Sequence, residues 1–310
     1  MDKYNEKYDK LVTPLYGPLR DHVKDNILLK SNTSHHKYNV DERIDMTMYK
    51  TYSIDPDGCE DADDAFSVYE EGEKLFLAIH IADPTEYINN TSELWKDIEQ
   101  RVVTRYPSNK RPIHMLPDEI MEKSSLMVNR YGDIKLAITV LTEINKSTYE
   151  PINGIKLLFT KVKVDDKHAL SYKNAGNSSD SNDTLQNGLR ISKALYNIRS
   201  GKTKGTVLNE VSIAFPRYDA NTLYLYSDKK EEISMKHMIA EYAIFANTFI
   251  GEYLNIHFEG GGIYRICNAK DWLNTVYSEI TGQELLNEII VNGIKAEYIS
   301  TVKPHDLVGA

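Results

Sequence analysis

A chain of 310 residues with 41% apolar and 27% charged residues can fold around a sizeable core, which excludes a disordered protein. Its net charge of −9 excludes a protein that grips nucleic acid by bulk positive charge, so any such contact has to be local. Two cysteines, Cys59 and Cys267, with no CxxC pair exclude a disulfide framework and suit a reducing compartment.

Residues 1–44 read as a polar, extended or partly helical arm, with a His35-His36 pair that fits a solvated loop better than a metal site. The segment Met1 to Lys10 is too polar for a signal peptide, and no apolar run is long enough to span a bilayer. The expected setting is therefore cytoplasmic, away from membranes. Tyr49 to Ile54 predicts a strand, followed by an acidic turn and a second strand at Ala65 to Tyr69. Lys74 to Ala82 is apolar on both faces and predicts a strand inside a sheet covered on both sides. Ser92 to Val103 predicts a helix with Ser92 as its N-cap, and Pro107 and Pro112 enforce irregular chain after it. Ile134 to Ile144 and Gly154 to Val164 predict a strand pair. The Asn-, Ser-, Gly- and Asp-rich stretch Asn174 to Asp183 predicts a surface loop, and Leu185 to Ile198 a helix. Thr206 to Ala214 and Thr222 to Tyr226 predict strands. Ser234 to Leu254 carries an apolar stripe (Met235, Met238, Ile239, Tyr242, Ala246, Phe249, Ile250, Tyr253) and predicts the longest helix, ended by Gly260 to Gly262. Helical signals resume from Asp271 towards Tyr298. Strands mixed with helices, without repeats or a linker, predict one α+β domain.

The chemistry concentrates in Asp55 to Asp64, where Asp55, Asp57, Glu60, Asp61, Asp63 and Asp64 stand without a lysine or arginine among them. Packed carboxylates raise one another's pKa, so such a run is either solvated or neutralised by cations. Oxygen-only donors suit Mg²⁺, with Mn²⁺ as the alternative, and two such ions can clamp a phosphodiester. An EF-hand loop starting at Asp55 fails, because Cys59 and Glu60 occupy its fifth and sixth positions. A phosphate loop at Gly201-Lys202-Thr203 fails, because Tyr196 stands where its first glycine is needed. A solvated turn and a catalytic metal site stay open on spacing alone. The apolar elements on both flanks favour the metal site.

In spacing, Asp55 with Asp61, Asp63 and Asp64 resembles the signature of the RNB-domain ribonucleases, the group of RNase II, RNase R and the catalytic subunit of the exosome. Further blocks follow in the family's order. These are Ala78 to Pro84, Tyr106 with Pro112 to Pro117, Ser124-Ser125-Leu126 where the family has Cys-Ser-Leu, Ser171-Tyr172, Arg199, Gly205, Glu241 to Asn247, Tyr264 to Ile266, and Ala296 to Tyr298 with His305 and Leu307. The resemblance implies an RNB-type α+β domain over residues 45–310, with a central mixed sheet surrounded by helices. It implies a Mg²⁺-dependent, hydrolytic 3′-to-5′ exoribonuclease that releases nucleoside 5′-monophosphates from single-stranded RNA. Asp55, Asp61 and Asp64 would hold the metal, and Asp63 would be the catalytic carboxylate that places the second ion or the attacking water. Tyr106 would clamp the 3′-terminal nucleotide. Arg265 reads equally as an RNA-phosphate contact or a structural ion pair, and His80 reads as a buried strand histidine.

In the family, the block resembling His305 to Gly309 runs on into a Ser-Pro-Ile-Arg-Arg-Tyr segment whose arginine reaches the scissile phosphate. These residues end at Ala310, so the domain is expected to be incomplete at its C-terminus. A fragment of a longer reading frame, a half-enzyme completed by a second chain, and a degenerate paralogue all fit. The rivals to an enzyme are a non-catalytic RNA-binding or scaffold protein and a metal-binding structural module.

Overall fold

The computed structural model describes residues 20–32, 40–59, 61–105, 112–152, 154–202, 215–219, 222–226, 230–258, 261–268 and 296–306. The core is a five-stranded mixed sheet. β1 (Ile44–Asp45) opens the chain order, followed by β2 (Ser53–Asp55), β3 (Asp64–Glu71), β4 (Lys74–Ala82), β5 (Ile134–Ile144) and β6 (Lys156–Lys163). The sheet order is β1-β6-β5-β4-β3, antiparallel except for the parallel β1–β6 pair. The strand read at Lys74 to Ala82 keeps those bounds and pairs along both edges. Leu75 and Leu77 to His80 are buried, as its two apolar faces required.

The two faces differ in character. One presents Phe66, Val68, Leu75, Leu77, Ile79 and Val140 to two helices, α5 (Asp183–Lys202) and α6 (Lys230–His257). The predicted stripe of α6 supplies the contact: Met235, Met238, Tyr242 and Ala246 are buried. Side chains the size of Met235 and Met238 contribute about 1.5–3 kcal/mol each when fully buried. The opposite face is built of small and polar groups. Ala65, Ala78, Ala137 and Val162 pack there against Met46, Ala62 and Leu126. Ser67, His80, Thr139 and Thr160 form a hydrogen-bonded row across four strands. His80 is fully buried between Ser67 Oγ (3.0 Å) and Thr139 Oγ1 (2.8 Å), and burial drives its pKa down to about 3. It is a neutral structural histidine.

Three helices close a further cluster. α1 (His22–Ser31), α2 (Glu93–Arg101) and α3 (Asp118–Ser124) bring together Leu28, Leu94, Ile98 and Ile120. The arm is therefore helical over His22–Ser31, and it docks. Arg20 reaches under it to Asp97 Oδ2 (3.1 Å) and to the carbonyl of Met115 (2.8 Å). Ser92 caps α2 by accepting from the Trp95 N–H (3.1 Å).

The loop expected at Asn174 to Asp183 is instead a helix, α4 (Tyr172–Ser178), followed by a 3₁₀ turn at Ser179–Ser181. Ser171 starts it by accepting from the Asn174 N–H (3.2 Å). Gly176 lets it lie against α6, since a Cβ there would come within 2.9 Å of the Glu231 carbonyl carbon. Turn-forming composition lost to tertiary packing. The remaining strands are short: β7 (Ala169–Ser171), β8 (Phe215–Asp219), β9 (Thr222–Tyr226), β10 (Tyr264–Ile266) and β11 (Glu297–Ile299). Tyr298, read as the end of a helical stretch, lies in β11, where it pairs with Arg265 of β10. The strand read at Thr206 to Ala214 and the His35-His36 pair lie outside the described residues. No described helix is long and apolar enough to cross a membrane.

Candidate metal centre

The acidic turn hangs between β2 and β3. Tyr52 and Phe66 exchange two backbone hydrogen bonds of 2.8 Å, which pins the two strands together at the mouth of the turn. β2 runs parallel to β7, with Asp55 opposite Ser171. The chain then reverses at Gly58, whose φ of +78° is strained for any residue with a Cβ. The Cys59 N–H donates to the Pro56 carbonyl (3.1 Å), and the Cys59 thiol points at the Asp61 carbonyl (3.2 Å). Ala62 is fully buried and anchors the return, and Asp64 begins β3 opposite Ile81.

With Ala62 pointing inward, its neighbours turn outward. Asp55, Asp61 and Asp64 are half-buried, and Asp63 is exposed. All four carboxyls are pushed above the usual aspartate range. Burial lifts Asp55 to about 7, helped by the charges of Asp64, Asp63 and Asp61, against a small opposing hydrogen bond from Cys59. Burial and Asp63 lift Asp61 to about 6, against a hydrogen bond from Ser125. Partial desolvation by the surrounding chain raises Asp63 even though its side chain reaches solvent, and burial with the Asp63 charge raises Asp64. The charges weighing most on these groups are one another's, and all are negative. The four share one neighbourhood without forming a closed cage. Among the described residues, no three or more His, Cys, Asp or Glu side chains are posed to enclose an ion.

Tyr172 belongs to the same neighbourhood, a placement that residue spacing could not reveal. It stands half-buried at the junction of β7 and α4. Burial, with the charges of Asp55, Asp64 and Cys59, lifts its hydroxyl to about 12. Lys236 of α6 lies 5.5 Å from its ring centroid. The only sequence signal was the place of Ser171-Tyr172 in a collinear series of blocks. Arg265, the other expected RNA contact among the described residues, is not brought in. Tyr106 lies outside the described residues, and Arg265 is exposed on the separate β10–β11 ribbon.

Residues 43–304 match the family model described as RNB domain. The chain is 27% identical over 247 residues to Exoribonuclease 2 of Buchnera aphidicola, a span of 75% of this chain and 36% of that protein. It is 28% identical over 230 residues to the exosome complex exonuclease RRP44 of Mus musculus, covering 72% of this chain and 23% of that protein. The chain thus spans about a third or less of the length of these curated relatives. Among solved structures, RNase R of Mycoplasma genitalium in complex with ribose-methylated single-stranded RNA superposes with a TM-score of 0.70 at 16% identity, over 94% of this chain and 50% of that one. Yeast Ssd1, a pseudonuclease, superposes with a TM-score of 0.58 at 15% identity, over 74% of this chain and 28% of that one.

Proposed function

Because the chain belongs to the RNB domain family, we propose that it is the catalytic part of a metal-dependent, hydrolytic 3′-to-5′ exoribonuclease that shortens single-stranded RNA and releases nucleoside 5′-monophosphates. The observation that carries this reading is the uncompensated set Asp55, Asp61, Asp63 and Asp64, held between buried strands with every carboxyl raised. An oxygen-only donor set whose members repel one another fits a hard divalent cation, Mg²⁺ with Mn²⁺ as the alternative. Asp55, Asp61 and Asp64 would hold it. When bound, such a cation supplies positive charge at the scissile phosphate and makes water easier to deprotonate.

Asp63, on the solvent side of the turn, would orient the attacking water. The water oxygen forms a bond to phosphorus, the bond from phosphorus to O3′ breaks, and a proton passes to O3′. The products are a nucleoside 5′-monophosphate and an RNA one nucleotide shorter. Tyr172 offers a ring against which the terminal nucleotide can rest, and Tyr106 and Arg265 remain proposed contacts to the strand.

The test is a denaturing-gel time course with 5′-labelled single-stranded oligoribonucleotide and Mg²⁺. The wild type should give stepwise 3′ shortening. Asp63→Asn should be slower by about 10²-fold or more, with RNA binding retained. Equal rates would remove Asp63 from the mechanism. A second reading, a non-catalytic RNA-binding domain, draws on the fold shared with a pseudonuclease. It predicts RNA binding by both proteins and cleavage by neither.

A further inference from the structure

We infer that Ser125 is a positioning residue of this site, a clip that fixes the Asp61 carboxylate and the backbone beneath it for cation binding. The inference rests on the metal-site reading above. Ser125 is 1% exposed and directly follows α3, its own N–H donating to the Met121 carbonyl (2.7 Å). Its Oγ accepts from the Ala62 N–H (3.1 Å), which sets the hydroxyl beside Asp61, whose carboxyl it holds down against the effect of burial. A serine hydroxyl has one donor and two acceptor sites, so it can accept from Ala62 and still turn its proton to Asp61. The Leu126 N–H donates to the Ala62 carbonyl (2.9 Å). Two consecutive residues therefore satisfy both backbone groups of Ala62, which is fully buried and cannot turn them to water.

The clip is itself held from the sheet. Lys135 of β5 is 1% exposed and donates to the Glu122 carbonyl (3.1 Å) and to Asn129 Oδ1 (3.0 Å). Asn129 Nδ2 donates to the same carbonyl. These bonds tie both ends of the Ser125 loop to one strand. Ser124 gives the contrast. It is just as buried, yet its hydroxyl bonds only the Ile120 and Met121 carbonyls within its own helix turn.

Groups that orient a ligating carboxylate typically change metal affinity about 10- to 100-fold. The test is calorimetric titration of Mn²⁺ into the full chain, with hydrogen exchange of the Ala62 amide followed in chelator. Ser125→Ala should weaken Mn²⁺ binding about 10-fold or more and speed Ala62 exchange, while Ser124→Ala should bind as the wild type does. In an Asp61→Asn background, Ser125→Ala should cost almost nothing further, because the clip acts through that carboxylate. Unchanged Mn²⁺ affinity in Ser125→Ala, or an equal loss in Ser124→Ala, would overturn the inference and leave the metal site standing. A wild type that takes up no Mn²⁺ would overturn the site and the inference together.

Discussion

Asp97 on α2 and Asp55 on β2 are both drawn out of bulk water, and they meet opposite company. Asp97 is 7% exposed and lies against three cations: Arg20 Nη1 at 3.1 Å, Arg101 Nε at 3.1 Å, and Lys24 Nζ. Burial alone would lift its carboxyl, but Lys24, Arg101 and Arg20 together bring it below the ordinary value. Asp55 has Asp61, Asp63 and Asp64 around it, and its carboxyl goes the other way, to about 7. The chain has 37 lysines and arginines, so a cation for the acidic turn was available and was placed elsewhere. Carboxylates answered from within the chain hold the fold together. Carboxylates left unanswered cost stability until something from outside supplies the charge.

The hardest test of the first half of that contrast is the fully buried triad of Arg43, Asp83 and Glu86. Arg43 Nη2 lies 2.6 Å from Asp83 Oδ2 and 2.8 Å from Glu86 Oε2, with all three side chains 1% exposed. Arg43→Met should take the buried guanidinium from between the Asp83 and Glu86 carboxylates and destabilise the chain by about 3–5 kcal/mol in urea unfolding. A loss below about 1 kcal/mol would mean that internal pairing is not what keeps buried acids tolerable here.

The acidic turn should respond in the opposite sense. In chelator at pH 7.5, Asp55→Asn should stabilise the chain by on the order of 2 kcal/mol, since it removes a raised carboxyl from among like charges. Asp97→Asn should destabilise it by about 1–2 kcal/mol. The pH dependence separates the two. The folded pKa of Asp55 is raised, so its contribution is most favourable below the unfolded value near 3.8 and is lost as pH rises to about 7. The advantage of Asp55→Asn should therefore fade as pH falls from 7 to 4. The folded pKa of Asp97 is depressed, so its contribution persists down to the unfolded value and is lost only as pH falls through the folded one. The deficit of Asp97→Asn should hold to about pH 4 and shrink below it. Urea titrations of the three proteins across this range give both curves. An Asp55→Asn that is no more stable than the wild type at pH 7.5 would break the comparison.

What the residues disclosed in advance follows the same division between local and distant causes. The acidic turn was legible because its six acidic residues lie within ten positions, and β4 because an apolar run on both faces has one good home, inside a sheet. Ser92 was legible as a cap because capping is a matter of three residues. α4 was misread because its helix depends on Gly176 closing on Glu231 of α6, far along the chain. β1, β7, β10 and β11 are two or three residues long, too short to carry a period. Ser125 and Tyr172 carry no signal in the sequence beyond their places in a collinear series of blocks. Their nearness to the aspartates comes from the β2–β7 pairing and from the α3 cap, which no spacing encodes.

Company alone does not give a charge pair its weight; burial does, and a third pair isolates that factor. Lys74 Nζ on β4 lies 2.8 Å from Glu143 Oε2 on β5, a distance like those around Arg43, but the two side chains are 61% and 29% exposed. Water already solvates the ammonium, and holding the two side chains in one geometry costs rotamer entropy. Lys74→Gln should therefore change unfolding free energy by less than about 0.5 kcal/mol, and the change should shrink further in 0.5 M salt. A loss above about 1 kcal/mol would show that proximity of opposite charges stabilises this sheet whether or not water is excluded. The contrast between the acidic turn and the Arg43 and Asp97 clusters would then reduce to a count of neighbouring cations.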